Sequence, residues 1–138
     1  HLVLNCEEIF ANAIISEKLR LNENEPIYKI QRLRLFGDMP AIIENAYLQK
    51  SRFPGLERMD LSGRLQHILK DNYHIQLTHL TTIIEPIIAS VYDARLLQIQ
   101  PGSPCLLLWR ISYSYDPAPV LCSTNIIRGD KCRLQING

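Results

Sequence analysis

Arg32 and Arg34 are the side chains best equipped to hold a ligand. In an extended segment residues i and i+2 leave the same face, so both guanidinium groups stand with Tyr28, Ile30 and Phe36. Planar, fork-shaped donors suit a carboxylate or phosphate. The pair therefore reads as an anion site, or equally as a wetted strand face. Glu44 alternates with Ile42, Ala46 and Leu48, which puts a carboxylate on an apolar face. A buried, unpaired carboxylate is costly, so it needs an arginine or a ligand hydroxyl as partner. Whether Glu44 joins the arginines depends on hairpin register: an odd loop brings them together and an even one separates them. Trp109, Ile111, Tyr113 and Tyr115 alternate along another strand, which reads as core packing, with a pocket wall as the second reading.

Other chemistry is missing. There is no GxSxG, no phosphate-cradling glycine loop and no HExxH. His67 and His79 read as a solvated and a structural residue. Cys6, Cys105, Cys122 and Cys132 form no CxxC pair, and the four histidines do not complement them at zinc spacing. Reduced, partly buried thiols of a cytoplasmic protein are the expectation, with no metal and no cofactor.

The elements that must position these residues follow from periodicity. Asn5 with Glu8 predicts a capped helix over Cys6–Leu19, with Ile9, Ala13 and Leu19 inward. From Ile27 the period becomes two. Strands are predicted over Ile27–Phe36 and Ala41–Leu48, joined by the turn Gly37-Asp38-Met39-Pro40. Leu61, Leu65, Ile68 and Leu69 predict an amphipathic helix over Ser62–Tyr73. A long strand over Gln76–Ala89 is followed by a short helix opened by Ser90 and Asp93. Strands over Cys105–Tyr115, Leu121–Ile127 and Lys131–Ile136 close the chain. Hairpins dominate this order, so the expected fold is α+β, a mostly antiparallel sheet flanked by helices.

The chain has 138 residues, enough for one domain with a real core. Its 15 Lys and Arg against 14 Asp and Glu leave a net charge of +1, which supplies no strong pull toward nucleic acid or membrane. No apolar run approaches the roughly 20 residues of a membrane span, and no signal peptide is visible. A first residue that is His rather than Met points to a piece of a longer protein.

Several segments resemble, in order, the UTRA domain, the effector-binding half of the HutC branch of GntR-type regulators. Ile30-Gln31-Arg32-Leu33-Arg34 resembles its RxR strand, and Gly37-Asp38-Met39-Pro40 its turn. Glu44 with Tyr47-Leu48 is similar to its ExxYL strand, and Phe53-Pro54-Gly55-Leu56 to its FPGL loop. Ala94-Arg95-Leu96-Leu97, Pro101-Gly102-Ser103-Pro104 and Arg128-Gly129-Asp130 complete the series over about residues 4 to 136. The resemblance implies a chorismate-lyase-like fold, a single effector-binding and dimerisation domain over residues 1–138, and an upstream winged helix-turn-helix domain outside this chain. It implies a homodimeric repressor that meets DNA only through that other domain, with Arg32, Arg34 and Glu44 lining the effector pocket. Phosphosugar-binding members usually begin the central helix with serine, where this chain has Arg64 with Ser62 nearby. Many carry an aromatic residue where this chain has Cys132.

The expected function is small-molecule sensing. An anionic metabolite, a sugar phosphate or an organic or amino acid, would bind with Arg32 and Arg34 on its acidic group and Glu44 on a hydroxyl or amine. Ser62, Arg64, Tyr113 and Cys132 complete the expected ligand-binding set. A dimerisation module with a degenerate pocket and a chorismate-lyase-like enzyme are the rival readings.

Overall fold

Six extended segments, several of them rich in β-branched and aromatic residues, pair edge to edge into one sheet. A computed structural model describes all residues 1–138. Its elements are β1 (Leu2–Phe10), α1 (Ala13–Leu19), β2 (Pro26–Phe36), β3 (Met39–Gln49), α2 (Leu65–Tyr73), β4 (His79–Ile88), α3 (Val91–Leu97), β5 (Pro104–Tyr113) and β6 (Pro119–Arg128). The sheet order is β1-β2-β3-β6-β5-β4, and every neighbouring pair is antiparallel. This is the α+β architecture that the hairpin-rich order predicts.

Two predicted elements are corrected. The helix over Cys6–Leu19 does not form: Leu2–Phe10 is a strand, and only Ala13–Leu19 is helical. Pairing with β2 satisfies a whole row of backbone groups, which outweighs the local pattern at Asn5 and Glu8. The cap is Asn12 instead, whose Oδ1 accepts from the Ile15 N–H at 2.9 Å. The strand over Lys131–Ile136 is also absent. β6 already lies between β3 and β5, so no unpaired edge beside it is left for a hairpin partner. The chain passes through a 3-10 turn at Gly129–Lys131 and continues without regular structure.

The Arg128-Gly129-Asp130 segment has a structural explanation. A Cβ on Gly129 would lie 2.5 Å from the Pro104 carbonyl oxygen, so only glycine fits without a backbone shift. Arg128 grips Asp130 through Nε and Nη2, at 3.1 and 2.9 Å, and reaches the Leu97 carbonyl at the end of α3. The ion pair holds the Asp130 carboxyl below the usual range.

One sheet face is closed by α1 and α3. Ile15, Leu19, Ile27, Ile111 and Cys122 pack under the first; Leu33, Ile43, Ala94, Leu97 and Ile126 pack under the second. The other face is covered on one half only. There α2 and the Phe53–Leu61 segment bury Tyr28, Ile30, Ala46 and Leu48 against Phe53, Leu56, Leu65 and Leu69. Tyr28 is tied to this cover by its hydroxyl, which donates to Glu57 Oε2 at 2.5 Å. Burial first, and then that hydrogen bond, push the phenol up to about 12. The uncovered half carries polar residues, among them Arg32, Glu44, Ser123 and Arg110.

Replacing Asn12 by Ala should destabilise the protein by about 1 kcal/mol, the usual effect of losing an N-cap. Asn5→Ala, at an exposed strand position, should change stability by less than about 0.5 kcal/mol. Urea unfolding of both variants checks the revised boundary, and equal losses would contradict it.

Candidate functional site

The β2–β3 hairpin decides which side chains meet. Its turn has two residues, Gly37 and Asp38, and Gly37 takes the left-handed φ of 63°. An even loop alone, continued from the pair Phe36↔Met39, would set Arg32 opposite Ile43 and turn Glu44 to the far face. A bulge reverses this. Arg34 pairs with Ile42 and Leu35 with Pro40, so Ala41 is an extra residue and Arg32 falls directly opposite Glu44. Pro40 sits at this irregularity, before the pairing of β3 with β6 begins at Ile42, where a missing N–H does least harm.

Arg32 is almost fully committed within the protein. Its Nε and Nη2 each lie 2.6 Å from Glu44 Oε1. Its Nη1 donates to the carbonyl oxygens of Leu61, at 3.0 Å, and Gly63. Four of the five guanidinium donors are thus engaged, and the residue is 2% exposed. Arg32 and Glu44 come together as the RxR and ExxYL resemblance requires. Yet this geometry makes Arg32 a clamp between sheet and loop, with little left to offer an acid group. Glu44 Oε2 has no protein partner.

The loop that Arg32 clamps opens α2. Arg64 is its N-cap residue, extended at φ −69° and ψ 125°; it makes no side-chain cap, and the first turn holds no acidic residue. The amide N–H groups of Leu65 and Gln66 therefore face an anion-favouring end of the helix. Ser62 donates its hydroxyl proton to Asp60 at 2.6 Å, which together with the Ser62 N–H bond holds the Asp60 carboxyl low.

These groups border a cavity of about 710 Å³ over the uncovered half of the sheet. Arg32, Arg34, Glu44, Ser62 and Arg64 all line it, along with Arg110, Ser112, Ser123 and Asn125 of β5 and β6. Arg110, Ser123 and Asn125 were not singled out by the sequence reading. One signal for Arg110 is present, a lone charge inside the apolar run from Cys105 to Tyr115.

Two expected residues lie elsewhere. Tyr113 does not line the cavity. Alternation along β5 sends Arg110 and Ser112 to the cavity face, and Trp109, Ile111 and Tyr113 to the α1 face. Tyr113 stacks on His79, which itself borders the cavity, with ring centroids 4.8 Å apart. Cys132 does not line the cavity either, because the strand expected to carry it back across the sheet does not form.

The charge balance of the cavity follows. Arg32 and Glu44 neutralise each other. Arg34, Arg64 and Arg110 make no ion pair and no hydrogen bond through their side chains. Arg34 lies only near the Phe36 ring, 5.8 Å from its centroid.

Arg32→Met should lower stability by about 3 kcal/mol, at the low end for breaking a buried ion pair, because it strands a partly buried carboxylate and two loop carbonyls. Adding Glu44→Leu should recover more than half of the loss. Chemical denaturation of the single and double variants reads this, and an unchanged single variant would show that the clamp contributes nothing.

Residues 1–133 match the family described as UTRA domain. The HTH-type transcriptional regulator YurK of Bacillus subtilis is 25% identical over 138 residues, covering 99% of this chain and 57% of that protein. The histidine utilization repressor of Pseudomonas putida is 28% identical over 136 residues, covering 96% of this chain and 53% of the repressor. The crystal structure of the C-terminal domain of YurK superimposes with a TM-score of 0.95 at 23% identity, covering 100% of this chain and 96% of that one. The chain thus spans little more than half the length of these curated relatives.

Proposed function

We propose, from the premise that this chain belongs to the UTRA domain family of GntR-type transcriptional regulators, that it is a sensor for a small anionic metabolite. The observation that carries this reading is the cavity, whose lining holds three arginines without a protein partner and, beside one of them, an uncapped helix start. Arg34, Arg64 and the first amides of α2 hold the acidic group. Oε2 of Glu44 accepts from a hydroxyl or amine. Arg32 acts one step behind, holding the Leu61–Gly63 loop so that Arg64 and α2 face the ligand.

Ligand binding then bridges β2 and the entry to α2, and favours one arrangement of the domain. A DNA-binding part of the same protein, beyond this chain, reads that arrangement as a change in operator affinity. The regulator and repressor names of the relatives support a repressor rather than an enzyme. A homodimer is supported by the apolar side chains that β4 and α3 leave open, among them Ile83, Ile84, Ile88, Val91 and Tyr92. A role in transcription sets the working compartment as the cytoplasm. No helix is long and apolar enough to cross a membrane.

A thermal-shift screen against sugar phosphates, organic acids, amino acids and fatty acids tests the reading. A ligand at a hundredfold excess over its Kd adds about 2.7 kcal/mol of stability. Arg34→Ala and Arg64→Ala should each abolish most of the shift while leaving the unliganded melting temperature nearly unchanged. If no compound shifts the protein, a dimerisation module with an empty cavity is the better description.

A further inference from the structure

We infer that the effector carries two separated anionic groups, and that Arg110 holds the second. This rests on the sensor reading and narrows its ligand. Arg110 faces the same side of the sheet as Arg32 and Glu44, as the cross-strand series Arg110↔Ser123, Ser123↔Ala46 and Ala46↔Ile30 shows. Its cross-strand neighbours are Ser123 on one side and Thr82 on the other, so no carboxylate faces it. It lies three strands across from Arg34 and four residues along. With strands ~4.8 Å apart and a rise of ~3.3 Å per residue, the two Cα atoms stand roughly 20 Å apart.

What lies between them decides the ligand's pattern. The diagonal from Arg34 to Arg110 crosses the row of Glu44 and Asn125, which pair across β3 and β6. The free oxygen of Glu44 makes this middle an acceptor that repels a phosphate or carboxylate and welcomes a hydroxyl or ammonium. The cavity is therefore cationic at two ends and acceptor-rich between them. A compact single anion satisfies one end and leaves the other bare. A molecule with an anion at each end and hydrogen-bond donors in between matches the whole lining. The class is a polyhydroxylated or amino compound bearing two acidic groups, such as phosphate with carboxylate or two phosphates.

Flexible probes test this without knowing the effector. Alkane-α,ω-bisphosphonates of increasing chain length are titrated calorimetrically into the 138-residue chain, beside alkylphosphonates of the same lengths. At a preferred length the bisphosphonate should bind at least about tenfold tighter than its matched alkylphosphonate, as a second charge-assisted contact requires. Arg110→Gln should erase that gain, so that the bisphosphonate binds no tighter than its matched alkylphosphonate, which still binds at the Arg34 and Arg64 end. Arg95→Gln, on α3 against the opposite face, removes the same charge and should alter neither. Equal affinities in the two series, or a gain that survives Arg110→Gln, would overturn the two-anion assignment while alkylphosphonate binding through Arg34 upheld the sensor. Failure of both series to bind the unaltered protein would overturn the two together.

Discussion

A buried guanidinium and a partly buried carboxylate, side by side on an open sheet face, constrain everything around them. Neither Arg32 nor Glu44 could be withdrawn from water alone; each is tolerable there because the other is within 2.6 Å. The pairing requires the two residues to be cross-strand neighbours, which an even hairpin loop denies and the bulge at Ala41 restores. The remaining donors of Arg32 then need acceptors, and the carbonyls of Leu61 and Gly63 supply them. In this way a charge pair on β2 and β3 sets where a loop on the other side of the cavity runs, and with it the start of α2.

The clamp also explains why the cavity is cationic. A carboxylate already engaged by one arginine cannot compensate three more, and neither the sheet nor α2 supplies another acid to the lining. The helix start adds to the excess, because Arg64 stands where Ser, Thr, Asp or Asn would ordinarily cap the first amides. Stability alone would favour a cap and a balanced surface here. The unmet donors are what an anionic ligand can complete.

Much of this was legible in the sequence, and the exceptions share a cause. Period-two patterning located β2, β3 and β5 because each buries at least part of a face, whereas β4, exposed along nearly its whole length, was legible from its Thr and Ile content. The two misread segments, Leu2–Phe10 and Lys131–Ile136, are an edge strand and a terminal stretch. Neither is decided by its own pattern: the first is drafted by the unpaired edge of β2, and the second finds both flanks of β6 taken. Arg32, Arg34, Glu44, Ser62 and Arg64 were recognisable as cavity residues through the RxR and ExxYL segments and the start of the central helix. Their division of labour was not, since it turns on one bulge and two carbonyl oxygens. Arg110, Ser123 and Asn125 reach the site only through sheet order, with β6 inserted between β3 and β5, and no spacing along the chain encodes that.

In the proposed sensor Arg32 is internal scaffolding while Arg34 and Arg64 meet the ligand. Arginine side-chain NMR, following each Nε–H during a titration with inorganic phosphate, tests this division of labour. The Nε–H signals of Arg34 and Arg64 should shift with added phosphate, while that of Arg32 stays protected from solvent and in place beside Glu44. Release of Arg32 from Glu44, with its signal moving most, would contradict the claim and return the anion to the buried arginine.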